Sequence, residues 1–206
     1  LMTRDGCEDT VDALYSTTAS SGLRSACFVL ELDDFGDLSQ RHGQAAADLV
    51  AQRTGERIAS ALRDGDTVAR MGDSRFAICL KPVKQLDLEL CIQLAGRLQT
   101  NIEEAIPLDG MSIYTTCSVG FCLRNRAPGP LGEDWLIAAG AALSEAQQNG
   151  PSGIRSYTAG TRRRAQTRHD LRDEAAAALD NGQIQPWYQP QISTDTGMIT
   201  GFEALA

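Results

Sequence analysis

Two stretches of the sequence carry residue types suited to chemistry on a charged substrate. Phe28-Val29-Leu30-Glu31-Leu32-Asp33-Asp34-Phe35 is an apolar run that ends in acids. Further on, two largely apolar runs, Val68 to Met71 and Phe76 to Leu80, flank Gly72-Asp73-Ser74-Arg75. Apolar runs on either side of Gly and Asp predict a β-hairpin, with Gly72 supplying the positive φ of its turn. The first run predicts a buried strand. A strand end that delivers carboxylates beside a hairpin tip suits a divalent cation and a phosphate: oxygen ligands hold hard cations, and the cation offsets phosphate charge. Arg75 brings a positive charge to the same tip.

Those groups need elements to position them. Val11, Leu14 and Tyr15 share one side of a helix within residues 1–22, which ends at Ser20-Ser21-Gly22. The first strand covers 25–32. A short polar helix from Gly36 to Arg41 precedes Gly43, and a longer one runs from Gln44 to Leu62 with Leu49, Ile58 and Leu62 facing the core. After the hairpin, helical spacing of Leu88, Cys91, Ala95, Leu98 and Ile102 predicts a helix over 86–106 that stops at Pro107. Residues 111–123 nearly alternate, which predicts one half-buried strand interrupted only by Thr115. A Pro/Gly loop, a helix over 133–148 with Trp135, Leu136, Ala139, Leu143 and Ala146 inward, and a strand over 153–157 complete this region. After the first helix the order is βααββαβαβ. Mixed hairpin and crossover connections predict an α+β fold, with a mainly antiparallel central sheet flanked by helices.

Composition narrows the function classes. The chain has 206 residues, 42% of them hydrophobic, and a formal net charge of −8. That charge disfavours nucleic acid and anionic membranes as partners. No apolar run is long enough for a membrane span and no signal peptide is visible, so a cytoplasmic location is expected. The chain opens on Leu1, which suggests a piece of a longer protein. Its six cysteines form no Cys-x-x-Cys pair and sit mostly in apolar periodic runs, as buried free thiols do; zinc or a disulfide is the other reading.

Glu31-Leu32-Asp33-Asp34-Phe35, then Gly43 and Asp48, Arg63-x-x-Asp66, and Arg70-Met71-Gly72-Asp73-Ser74-Arg75-Phe76 resemble a GGDEF (diguanylate cyclase) domain. Leu1-Met2-Thr3-Arg4 resembles the tail of that family's leading motif. The resemblance implies a nucleotide-cyclase-like α/β sandwich, and a reaction that joins two GTP molecules on divalent metal. It also implies loss of that reaction here. Of the signature only Gly72 and Phe76 stand as the family has them, while Asp73, Ser74 and Arg75 depart from it. The metal-ligand positions fall on Glu31 and Ser74, so the metal site is incomplete, and Arg75 replaces a second acid. The guanine-contacting positions fall on Ser39 and Asp48, of which only Asp48 is kept. Gln147 stands where the family has a phosphate-contacting Lys. Direct pairing of Arg75 with a phosphate, without metal, is a further reading. Arg63 and Asp66 match the family's inhibitory site for cyclic-di-GMP; an ordinary surface salt bridge is the plainer reading.

Tyr188-Gln189-Pro190 and Glu203-Ala204-Leu205 resemble the start of an EAL (cyclic-di-GMP phosphodiesterase) domain, a β/α barrel that needs roughly 250 residues. Glu203 matches a metal ligand of that family, and Gln189 a substrate contact. An intact EAL domain would use Mg or Mn; no cofactor is expected in this chain. The expected organisation is therefore a degenerate GGDEF domain at 1–158, a linker helix at 159–182 and an EAL fragment at 183–206. The expected role is non-catalytic control or dimerisation of a downstream phosphodiesterase. A nucleotide sensor binding cyclic-di-GMP at Arg63 and Asp66, or GTP at the degenerate site, is the alternative, and an active cyclase the third. Expected partners are those nucleotides, the rest of the EAL domain and a second copy of the chain.

Overall fold

β1 (Ala26–Leu32) runs through the middle of a five-stranded sheet in the computed structural model, which describes every residue except Leu1, Thr3, Asp109 and Ala206. The protein divides into two compact units, Leu1–Arg162 and Arg163–Ala206. In the first, α1 (Arg4–Ser21) leads into β1, followed by α2 (Phe35–His42), α3 (Gln44–Ala61), β2 (Thr67–Arg70), β3 (Arg75–Cys79) and α4 (Leu88–Ile102). β4 (Ile106–Leu108), β5 (Met111–Ile113), β6 (Cys117–Leu123), α5 (Gly132–Gln147) and β7 (Ile154–Ser156) complete it, and α6 (Ala159–Asp180) follows.

The strand order is β2-β3-β1-β6-β7, antiparallel except for the parallel β6–β7 pair. Both faces of the sheet are covered. Phe28, Leu30, Phe76, Ile78, Val119 and Phe121 pack with α3 and α4. Cys27, Val29, Ala77, Cys79 and Cys122 pack with Cys7, Val11 and Tyr15 of α1 and Trp135, Ala139 and Leu143 of α5. A strand buried on both faces has no polar side, which is why β1 reads as a continuous apolar run.

The same burial corrects the reading of 111–123. All seven residues of β6 are buried, and β5 is a separate short strand paired with β4. The small residues Ser118, Gly120 and Cys122, which look like gaps in the apolar pattern, are where α5 approaches the sheet. A Cβ at Gly120 would meet the backbone nitrogen of Leu143 at 2.0 Å. α4 ends at Ile102 rather than 106, because Ile106-Pro107-Leu108 is β4. Leu49 is only half-buried; Ala46, Ala47 and Val50 take the inward positions of α3.

The hairpin forms by a different means from the one the sequence suggests. Gly72 is not among the positive-φ residues. Instead the Arg70 guanidinium donates through Nε to the Gly72 carbonyl and through Nη2 to the Asp73 carbonyl, both at 2.9 Å, while Met71 N–H donates to the Arg75 carbonyl at 2.8 Å. The arginine closes a wider turn that needs no left-handed residue. Before the first helix, Met2 pairs with β2: its N–H donates to the Val68 carbonyl and its carbonyl accepts from Arg70 N–H.

In the second unit, β8 (Trp187–Ile192) and β9 (Ile199–Leu205) form an antiparallel ribbon closed by a turn in which Gly197 takes a φ of 68°. Tyr188, Pro190, Ile192, Ile199, Phe202 and Ala204 fall on one side of the ribbon by their register, and all are exposed.

Candidate functional site

The C-terminal end of β1 and the start of β3 set the site. Glu31 and Arg75 are register partners on these strands, so their side chains leave the same face together. Arg75 Nη2 donates to Glu31 Oε2 at 2.8 Å. Ser74 Oγ donates to Oε1 at 3.3 Å, and Gln147 Nε2, from the last turn of α5, donates to Oε2 at 3.0 Å. Partial burial pushes the Glu31 carboxyl up. The hydrogen bonds from Arg75, Gln147 and Ser74, with the Arg75 charge, outweigh that effect and hold the group below the usual glutamate range.

The structure thus brings together Glu31, Ser74 and Arg75, with Gln147 as a further member. It arranges them as an ion pair supported by two neutral donors. A metal site would need further oxygen anions turned inward; here the one carboxylate faces a guanidinium. Among the described residues, no group of three His, Cys, Asp or Glu is placed to hold a metal ion.

Asp33, two residues on, is a further carboxylate beside the site that sequence reasoning did not single out. Its carboxylate accepts from Thr116 Oγ1 and Ser118 Oγ at 2.8 Å each, and from Ser152 N–H at 2.9 Å. It ties the end of β1 to β6 and to the loop after α5. Three acids in one short run were the available signal; Asp33's partners lie 83, 85 and 119 residues away, which hid its role. An open cavity of about 320 Å³ lies beside these groups, lined by Leu32, Asp33, Asp34, Gln147, Gly150 and Pro151.

Ser39 and Asp48 are joined through Gln44. Ser39 Oγ donates to Gln44 Oε1 at 3.1 Å, and Gln44 Nε2 donates to Asp48 Oδ1 at 3.0 Å. Gly43, at a φ of 82°, turns α2 into α3 so that the two face each other.

Arg63 and Asp66 lie elsewhere, on the loop into β2. Their ion pair is 3.4 Å long, with the Asp66 side chain only 4% exposed and that of Arg63 53% exposed. Asp66 Oδ1 also accepts from Lys81 N–H at 2.8 Å, so the carboxylate is anchored while the guanidinium stays reachable. A cavity of about 610 Å³ opens here, lined by Arg63, Asp66, Leu90, Gln93, Leu94 and Arg97 among others. Arg97, on α4, was not apparent from the loop motif because it comes from another element.

Glu203 stands opposite Gln189 in the β8–β9 ribbon, and both are exposed. Gly72 is open: a Cβ there would meet nothing within 4 Å.

A family model described as "Diguanylate cyclase, GGDEF domain" matches residues 1–152. The chain is 29% identical to the cyclic di-GMP phosphodiesterase NbdA of Pseudomonas aeruginosa over 184 residues, covering 89% of this chain and 23% of that protein. It is 26% identical to the bifunctional diguanylate cyclase/cyclic di-GMP phosphodiesterase MucR of the same organism over 202 residues, covering 96% of this chain and 28% of that one. The chain therefore spans about a quarter of the length of these relatives. Its fold is similar to that of the GGDEF domain of YfiN (TpbB) from P. aeruginosa, with a TM-score of 0.71 at 24% identity, covering 77% of this chain and 97% of that one.

Proposed function

The chain belongs to the diguanylate cyclase GGDEF domain family, and we propose that in it the cyclase chemistry has been lost and the domain acts as a non-catalytic regulator of a cyclic-di-GMP phosphodiesterase domain. The observation that carries this reading is the state of Glu31. Metal-assisted attack on an α-phosphate needs carboxylates free to hold divalent cations. Glu31 is instead paired with Arg75, and Ser74 offers only a neutral hydroxyl. A cation approaching the Glu31 carboxylate must compete with the Arg75 guanidinium already bound to it.

The proposal extends to residues 183–206 as the start of an EAL domain, with 159–182 as the linker helix after a domain of 1–158. The exposed apolar side of the β8–β9 ribbon supports it, since such a face calls for further chain to cover it. So does the match to MucR, which covers more of the chain than the GGDEF family model does. In that setting Glu203 would contribute to a Mg or Mn site, and Gln189 would face substrate. The linker helix would carry the coupling, and a second copy of the chain is a further candidate partner.

Incubation with GTP and either Mg or Mn tests the first claim. No cyclic-di-GMP is expected; product formation at a rate proportional to protein overturns the reading.

The cavity at Arg63 favours a second reading, a sensor of cyclic-di-GMP. An anchored Asp66, a reachable Arg63 and Arg97 on the same wall form a set that suits a guanine edge and a phosphate. Calorimetric titration with cyclic-di-GMP separates the two. Saturable binding abolished by Arg63→Ala supports the sensor, whereas flat titrations leave the ligand-free regulator.

A further inference from the structure

Beneath the site, on the sheet face covered by α1 and α5, three cysteines stand in one row across three strands. Cys79 on β3 is the register partner of Cys27 on β1, and Cys27 is the register partner of Cys122 on β6. Cys7 of α1 packs into the same buried cluster. All four are essentially sealed from solvent, at 0–1% exposure.

The two cross-strand pairs are not equivalent. Between β1 and β3, the flanking bonds Leu80 N–H to Ala26 O and Leu32 N–H to Ser74 O mark the hydrogen-bonded positions. Counting in twos from these places Cys27 and Cys79 at a non-hydrogen-bonded position. There the Cα atoms approach to about 4.5 Å and the side chains lie closest. That separation falls within the roughly 4.4–6.8 Å that a disulfide spans. Between β1 and β6, Arg124 N–H to Ser25 O and Asp33 N–H to Thr116 O put Cys27 and Cys122 at a hydrogen-bonded, wider position. The sulfurs follow this geometry. Cys79 Sγ lies 3.7 Å from Cys27 Sγ, while Cys122 Sγ turns to the Leu123 carbonyl at 3.4 Å.

We propose that Cys27 and Cys79 form a reversible oxidation site, at which a two-electron oxidant of the peroxide class joins the two thiols into a disulfide bridging β1 and β3. One thiol loses its proton and attacks a peroxide oxygen. The O–O bond breaks, water leaves, and that sulfur becomes a sulfenic acid. The second sulfur then attacks it, the S–S bond forms, the S–O bond breaks, and a second water leaves. Two thiols and one hydrogen peroxide give one disulfide and two waters.

Burial seals both thiols, so an oxidant reaches the pair only when the layer under α1 opens. The bridge would lie on the same two strands as Glu31 and Arg75, four residues along the ladder. It would therefore fix the spacing of the strands that carry the site.

The test treats the whole chain with hydrogen peroxide, alkylates the remaining thiols and maps the peptides. A linked peptide joining Cys27 to Cys79, lighter by two hydrogens and reversed by dithiothreitol, is the expected product. A rise in the thermal midpoint of roughly 5–10 °C should accompany it. Cys7→Ser should leave the link in place, and Cys79→Ser should remove it. Six alkylatable thiols after oxidation, a link that joins Cys7 to Cys79 instead, or overoxidised single cysteines without a link would overturn the proposal. The wild-type map decides this even if a variant fails to fold.

Discussion

Glu31 and Arg75 face each other across the β1–β3 ladder, and the 2.8 Å ion pair between them closes directly over that register. The pair needs no unusual backbone, because both residues lie within the ladder. In Arg75→Ala, Glu31 keeps only Ser74 and Gln147, and its carboxyl should move up toward the usual range. The Arg75 side chain is 47% exposed, so solvent screening limits the cost to about 0.5–1 kcal/mol. The sign with pH follows from the lowered Glu31 pKa in the folded protein. The stabilisation is present above the unfolded glutamate value of about 4.3 and is lost as pH falls through the folded value. Denaturation of wild type and Arg75→Ala should therefore differ near neutrality and converge in acid. A gap that widens on acidification would contradict this.

If the lost acids are what keeps metal out, replacing them should bring it back. The double variant Ser74→Asp with Arg75→Glu removes the guanidinium and adds two carboxylates beside Glu31. Mn affinity measured by calorimetry should rise at least tenfold over wild type, or about 1.4 kcal/mol. An unchanged affinity would place the obstacle elsewhere, with Gln147 the next position to alter.

Gly120 and Gly72 should respond in opposite ways to alanine. At Gly120 the new methyl would collide with the backbone of α5, at Leu143 N, Leu143 Cα and Ala139 O. Helix and sheet would have to separate, and a loss of about 3 kcal/mol or more is expected. At Gly72 there is open space and no positive φ, so Gly72→Ala should shift stability by less than about 0.5 kcal/mol. Thermal melts of the two variants side by side check both.

Asp33 should prove a positioning residue. Asp33→Ala would leave two hydroxyls and the Ser152 N–H without their acceptor, at a cost of about 2–4 kcal/mol. Amide exchange at Ser152 should quicken more than exchange within β1. Uniform acceleration would mean that Asp33 supports the whole unit rather than the loop.

Much of this arrangement is legible in the residues. β1, β3, α1 and α5 announce themselves through period and apolar content, and Glu31 beside the hairpin follows from β1 and β3 being apolar runs with polar ends. What stays hidden is long-range. Nothing near Asp33 points to Thr116 or Ser152, and nothing near Arg63 points to Arg97. The β4–β5 hairpin is masked because Pro107 reads as a helix stop, though it also suits a short edge strand. β6 misleads for a related reason. Gly120 in mid-strand looks like a weak spot, yet it marks where a helix backbone comes closest.

The two backbone hydrogen bonds of Met2 have a consequence for solubility. β2 is a terminal strand of the five-stranded sheet, and an open strand margin is a template onto which another chain can zip. Met2 occupies the Val68 carbonyl and the Arg70 N–H, the groups such a recruit would take. The chain thus supplies its own blocking peptide at the arm of the signature hairpin. Trimming it back past that residue would leave a sticky border where the native protein has a finished one.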